Sequence, residues 1–240
     1  MKKALVTGAA SGIGAALIGL LRDDGYEVTG IDRIPGPGIT EGDAAEIPYD
    51  LYELVFLNAG VMGQPGPCWA AESEETWRVN FHAPRRAVQR LIPGWLAAGH
   101  GGRIVFTASL AALLPMPFST DYCASKAALL SLAETLLYEL RAAGSEIGVS
   151  VAVPSFTQSN LAAGLTGEFA SHFQGFLDRG TPAAEIARSM YEGALAGRFL
   201  LVTHPESMEG VLPRWEALLS GAEPGRPSGR RMDALFQTKY

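Results

Sequence analysis

The chain reads as a single-domain, doubly wound α/β fold built on a parallel sheet. Two observations predict it. Short apolar, β-branched runs alternate with stretches of helical periodicity, the pattern of a parallel sheet buried on both faces. The first of these runs also passes through a glycine-rich turn directly into the first amphipathic stretch. Length and composition agree: 240 residues suffice for one large core, and 48% apolar with 18% charged residues describes a globular rather than a disordered chain.

Taken in order, residues 4–7 form an apolar strand, and a helix follows from about Ile13 to Asp23. Residues 27–32 and 54–57 are strands, the latter ending in Asn58-Ala-Gly60. Between them the chain is short and rich in Pro and Gly, with room for a minimal strand near Ile39 and Thr40 but not for full crossover helices. A long helix spans about 74–98, a strand 103–107 and a helix 121–143. A strand at 149–153, a helix at 183–195 and a last strand at 199–202 complete the alternation. Residues 160–180, with Phe169, Phe173 and Phe176, read as a helical flap over the site. The domain thus covers 1–220, and 221–240 reads as a loop-like tail.

The net charge of −6 argues against nucleic acid or an anionic membrane surface as partner. No run approaches the roughly 20 apolar residues that span a bilayer. The sequence enters its first strand at Ala4, which leaves no room for a cleaved signal segment, so the expected location is the cytoplasm. Cys68 and Cys123 lie far apart and are expected to pack as small buried or half-buried residues. His82, His100, His172 and His204 are scattered, lack metal-ligand spacing, and are expected at the surface or hydrogen-bonded inside; no metal is expected.

The turn Thr7-Gly-Ala-Ala-Ser-Gly-Ile-Gly14 joins the first strand to the first helix. Gly8, Gly12 and Gly14 let the backbone turn sharply and approach a ligand, and the helix N-terminus behind Ser11 and Ile13 favours a pyrophosphate. The spacing is Gly-x-x-x-Gly-x-Gly rather than Gly-x-Gly-x-x-Gly, but the strand–turn–helix context is that of a Rossmann-type dinucleotide site. Asp32, at the end of the second strand, can accept hydrogen bonds from adenosine ribose hydroxyls and would repel a 2′-phosphate, which favours NAD over NADP. Arg33 beside it can pair with a phosphate, stack on adenine or face solvent.

Tyr122 and Lys126 lie four apart on a helix and so share a face, with Ser109 at the end of the apolar run 103–109. An ammonium beside a phenol favours phenolate, and a nearby hydroxyl can hold a substrate oxygen, so the trio can move a proton to or from an alcohol or carbonyl. Residues 113–118, Val61, Met62 and Phe156 are expected around the substrate mouth, which suggests a substrate with an apolar body.

Thr7-Gly-x-x-x-Gly-x-Gly14, Asn58-Ala-Gly60, Asn80, Ser109 and Tyr122-x-x-x-Lys126 together resemble, in order and spacing, the motifs of the short-chain dehydrogenase/reductase family. The resemblance runs from Ala4 to about Ser159 and more loosely to Val202. It implies NAD(P)-dependent interconversion of a secondary alcohol and a ketone, with Tyr122 as general acid/base and Ser109 polarising the substrate oxygen. Lys126 would lower the Tyr122 pKa and bind the nicotinamide ribose, and Asn80 would hold a water linking Lys126 to solvent. Asn58, Ala59 and Gly60 would shape the adenosine side, and Asp43 would contact adenine. Pro154 keeps the family's pattern; Ser155 replaces its usual Gly, and Ser159 stands where a Thr is usual, with Thr157 between them in the cofactor set. The resemblance also implies a homodimer or homotetramer through helices 74–98 and 121–143. Two other functions stay open: an epimerase or dehydratase on the same fold, and a non-catalytic dinucleotide sensor.

Overall fold

The computed structural model describes residues 2–42, 47–48, 50–70 and 73–225. The apolar runs become β1 (Lys3–Thr7), β2 (Glu27–Asp32), β3 (Ile39–Glu41), β4 (Leu54–Leu57), β5 (Arg103–Thr107), β6 (Gly148–Ala152) and β7 (Leu200–Leu201). All pair in parallel, in the order β3-β2-β1-β4-β5-β6-β7. Chain order reverses between β1 and β4, and the strand C-termini diverge there into a crevice, the usual seat of a ligand in such sheets.

Successive side chains alternate between two helical layers. Leu5, Val55, Leu57, Ile104, Phe106, Val149 and Val151 pack with α3 (Ala83–Ala97) and α4 (Thr120–Ala142), whose Leu91, Trp95, Leu129 and Leu136 close that core. Ala4, Val6, Leu54, Phe56 and Val105 pack with α1 (Gly12–Asp23) and α6 (Ala183–Leu195) through Leu17, Leu21, Ile186 and Met190. Burial on both faces is why these strands read as unbroken apolar runs. Trp95 is fully buried, and its indole N–H donates to the Asp50 carbonyl at 2.8 Å.

The link from β2 to β3 is far shorter than a helical crossover. The register explains it: Gly30 pairs with Ile39 and Asp32 with Glu41, so β3 starts only just below the point where β2 ends. A turn closed by Gly36 and Gly38 (φ +70) covers that small return.

The helix expected over 74–98 is interrupted. A short α2 (Glu74–Trp77) leads into a π-helical turn at Arg78–His82 before α3. Pro84 has no N–H to offer the Asn80 carbonyl four residues earlier, and its ring crowds that carbonyl. The wider turn absorbs the mismatch, and the Ala83 N–H reaches back to the Arg78 carbonyl.

Other expectations need correction. Cys68 is exposed, in the same loop as the exposed Trp69; Cys123 is buried. Leu113 and Leu114 pack in the α3/α4 core, so only the later part of 113–118 reaches the substrate side, with Met116 and Phe118 beside Tyr122. The turn that Pro205 marks after the last strand is present at Pro205–Gly210, and a helix α7 (Val211–Leu219), which sequence patterning did not give, follows it. The tail lies outside the described residues from 226 onward. No helix among the described residues is long and apolar enough to cross a membrane.

Candidate active site

The glycine loop is tight at each of its glycines for a different reason. Gly8 has φ +67, and a Cβ there would lie 2.8 Å from the Ala59 Cα. Gly12, first residue of α1, has φ +52, and a Cβ there would lie 3.2 Å from the Cβ of Ser159. At Gly14 a Cβ would collide with the Gly8 carbonyl oxygen. Ser11 is the α1 N-cap, and its side chain makes no capping bond.

Asn58 and threonines at two strand ends hold the loops together. The Thr7 hydroxyl accepts the Asn58 and Ala59 N–H groups at 3.0 and 3.1 Å. The Asn58 amide donates to the Thr7 carbonyl at 3.2 Å and accepts from the Thr107 hydroxyl at 3.2 Å. Asn58 thus ties β1 to β5 across β4. Asp32 uses one carboxylate oxygen for the Ala10 N–H at 2.9 Å and the other for the Ile34 N–H at 3.1 Å. Arg33, whose sequence left three roles open, pairs with Glu75.

At the other end of the crevice, Ser109 follows β5 and caps a short turn, accepting the Ala111 N–H at 3.1 Å. The Ser109 hydroxyl lies close enough to the Tyr122 phenol to act on its titration, and both line the same cleft. Lys126, one helical turn along α4, is buried; its Nζ donates to the Thr107 carbonyl at 2.9 Å and lies 5.8 Å from the Tyr122 ring centroid. Burial pushes the Tyr122 phenol up to about 12, against the lowering influence of the Ser109 hydroxyl, and holds Lys126 down to about 8. The lowering expected for Tyr122 is therefore outweighed here by desolvation.

One cleft of about 490 Å³ joins these groups. It is lined by Gly8, Ser11, Gly12, Ile13, Asp32, Arg33, Asn58, Ala59, Gly60, Ser109, Tyr122, Lys126, Pro154, Thr157 and Ser159. Gly14 and Asn80 stand behind its wall, and Asp43 lies outside the described residues. The Asn80 carboxamide accepts the Val61 N–H at 2.9 Å and donates to the Val61 carbonyl at 2.9 Å and the Ser125 hydroxyl at 3.1 Å. These bonds hold the 58–61 loop to the turn that carries Asn80.

The family model described as short chain dehydrogenase matches residues 48–168, half of the chain. The chain belongs to the short-chain dehydrogenase/reductase family. This family member is 28% identical over 237 residues to 1-deoxy-11-beta-hydroxypentalenate dehydrogenase of Streptomyces exfoliatus, covering 86% of this chain and 84% of that protein. An uncharacterised NAD-dependent oxidoreductase of Mycobacterium tuberculosis is 37% identical over 103 residues, 41% of this chain and 35% of that one. Among solved structures, a short-chain dehydrogenase/reductase from Burkholderia phymatum in complex with NAD superposes with a TM-score of 0.82 at 26% identity, over 95% of this chain and 98% of that one.

Within this short-chain dehydrogenase/reductase, the sequence motifs pointed to most of the cleft. They did not point to Thr7 and Thr107 as supporting groups, although Thr107 shares the strand face of Ser109 by period-two alternation. Asn160, Leu161 and Leu177, which also line the cleft, fall in the stretch 160–180 expected over the site, although no motif singled them out. In that stretch, α5 (Gly167–Asp178) buries Phe169, Phe173 and Phe176 against Met62, Ala111 and Tyr122. Phe156 stands edge-on to Phe173, ring centroids 5.8 Å apart.

Proposed function

We propose that this oxidoreductase interconverts a secondary alcohol and a ketone with NAD as cofactor. The observation that carries the reading is one cleft lined by Ser109, Tyr122 and Lys126 together with the glycine loop and Asp32, with the Lys126 ammonium 5.8 Å from the Tyr122 ring centroid. The loop fits a dinucleotide because side chains at Gly8, Gly12 and Gly14 would fill or distort the cradle. NAD, when bound, supplies the hydride acceptor. Gly8, Ser11, Gly12 and Ile13 would hold its pyrophosphate at the α1 N-terminus, with Ser159 opposite. Asn58, Ala59 and Gly60 would wall the adenosine side, Lys126 would bind the nicotinamide ribose, and Pro154 and Thr157 would seat the nicotinamide end.

Asp32 gives each carboxylate oxygen one backbone N–H, and a carboxylate has about four acceptor sites, so capacity remains for ribose hydroxyls. A 2′-phosphate would meet that negative charge, and the nearest compensating cation, Arg33, is already paired with Glu75. This favours NAD. The Ser109 hydroxyl holds the substrate oxygen, and Tyr122 takes its proton as the alcohol is oxidised, or returns it on reduction. The charge of Lys126 favours the phenolate that burial disfavours. Val61, Met62, Leu161 and Leu177, which line the cleft, would receive an apolar substrate body, backed by the buried phenylalanines of α5. Exposed Leu96 on α3 and Tyr138 on α4 fit a homodimer or homotetramer joined through these helices.

The test is a panel of bulky secondary alcohols with NAD and with NADP. Stoichiometric growth of the reduced-nicotinamide absorbance, faster with NAD, is expected. Substrate conversion without that absorbance change would favour an epimerase or dehydratase, and tight NAD binding without turnover across the panel would favour a sensor.

A further inference from the structure

His204 follows β7 and is buried. It plays no part in the chemistry above, yet its imidazole meets the active-site loop. The Ser155 N–H donates to His204 Nδ1 at 3.1 Å. A backbone amide can only donate, so Nδ1 carries no proton. The Thr203 hydroxyl, 2.9 Å from the same nitrogen, must then donate to it as well. Nε2 therefore holds the ring proton and donates it to the Thr181 hydroxyl at 3.0 Å.

What this fixes is one peptide unit. The Pro154–Ser155 peptide gives its N–H to His204, while its carbonyl accepts the Leu110 N–H at 2.9 Å and the Ser109 hydroxyl at 3.5 Å. Pro154 and Ser155 both line the cleft. The other arm of the imidazole grips Thr181, the joint between α5 and α6. Thr181 is itself laced to the cleft loop: its N–H donates to the Phe156 carbonyl at 3.1 Å, and its carbonyl accepts the Gln158 N–H at 3.0 Å. A Cβ at the neighbouring Gly180 would lie 2.5 Å from that Phe156 carbonyl oxygen, so this joint leaves no slack.

We infer that His204 is a positioning residue for the reaction: through its Nδ1 it sets the Pro154–Ser155 peptide, and through that peptide the hydroxyl of Ser109. The claim rests on the reaction proposed above for its kinetic consequence but not for its geometry.

Two substitutions separate the arms of the imidazole. In His204→Asn the side-chain oxygen falls at the place of Nδ1 and can accept from Ser155. In His204→Gln the amide reaches the place of Nε2 and can serve Thr181 but not Ser155. Amide hydrogen exchange over 153–158 should quicken about tenfold or more in the Gln variant and stay near wild type in the Asn variant. Misplacing Ser109 should lower kcat in the Gln variant by roughly ten- to a hundredfold with a smaller change in KM, and the Asn variant should recover most of it. A role in packing alone would lower the Tm of both variants and leave kcat unmoved, which would overturn the inference. Equal exchange in all three proteins, or equal loss of kcat in both variants, would also overturn it. Were the wild type to show no nicotinamide-linked turnover, the proposed reaction would fail. The exchange comparison and the Kd for NADH, raised only in the Gln variant, would still decide the role of His204.

Discussion

Tyr122 and Lys126 are driven from their ordinary titration by the same cause, and in opposite senses. Burial disfavours the charged form of each, so the phenol rises from 10.0 to about 12 and the ammonium falls from 10.5 to about 8. Between about 8 and 10.5 the unfolded chain holds the Lys126 proton more tightly than the folded one, so stability from this group rises with pH across that window. Below about 8 its cost is fully present. Tyr122 acts the other way: its contribution is complete below 10 and lost as pH climbs toward 12. Lys126→Met should therefore raise stability at pH 7 by about 1–3 kcal/mol, net of the bond to Thr107, while removing activity. Thermal melts should show the gain shrinking toward pH 10, and a lower Tm at pH 7 would contradict it. Asp32→Ala removes the acceptor of the Ala10 and Ile34 N–H groups together with the ribose partner. It should lower kcat/KM with NAD more than tenfold and with NADP much less.

At the level of single elements, the strand–turn–helix at the start of the chain gives a sharp contrast within one helix. Gly14→Ala forces a Cβ into the Gly8 carbonyl, whereas at exposed Gly19 a Cβ meets nothing within 4 Å. Gly14→Ala should lose NADH binding and melt lower; Gly19→Ala should stabilise by up to about 1 kcal/mol with binding unchanged. Calorimetry and a fluorescence titration read both. These elements were readable in the sequence because periodicity and glycine placement act locally. Pro84 carried a readable signal for the turn around Asn80 that periodicity alone concealed. Helix α7 was missed because only its Val211 is buried, which leaves little apolar contrast for periodicity to report. The roles of Asn58 and His204 depend on partners about 50 residues away, which only the folded sheet brings together.

For the molecule as a whole, strand order puts two sequence signals at one crevice. The glycine loop follows β1, and Ser109 follows β5; the Asn58 loop after β4 lies between them and bonds to both strand ends. The sheet and its two helical layers followed from the apolar runs, since burial on both faces leaves few other arrangements. The flap contacts did not, because the Phe169–Phe176 cluster resembles any amphipathic core face until its neighbours are known. Filling that aromatic cluster by Ala162→Phe should raise the KM for bulky alcohols several-fold more than for small ones. Steady-state kinetics across a size series measures it. The central claim is that this crevice couples nicotinamide reduction to proton loss through Tyr122. The most direct measurement sets turnover beside NADH affinity in Tyr122→Phe, which keeps the ring and deletes only the hydroxyl. Turnover should fall by at least about a thousandfold with Kd for NADH within about threefold of wild type; a variant that still turns over at near wild-type rates would contradict the account.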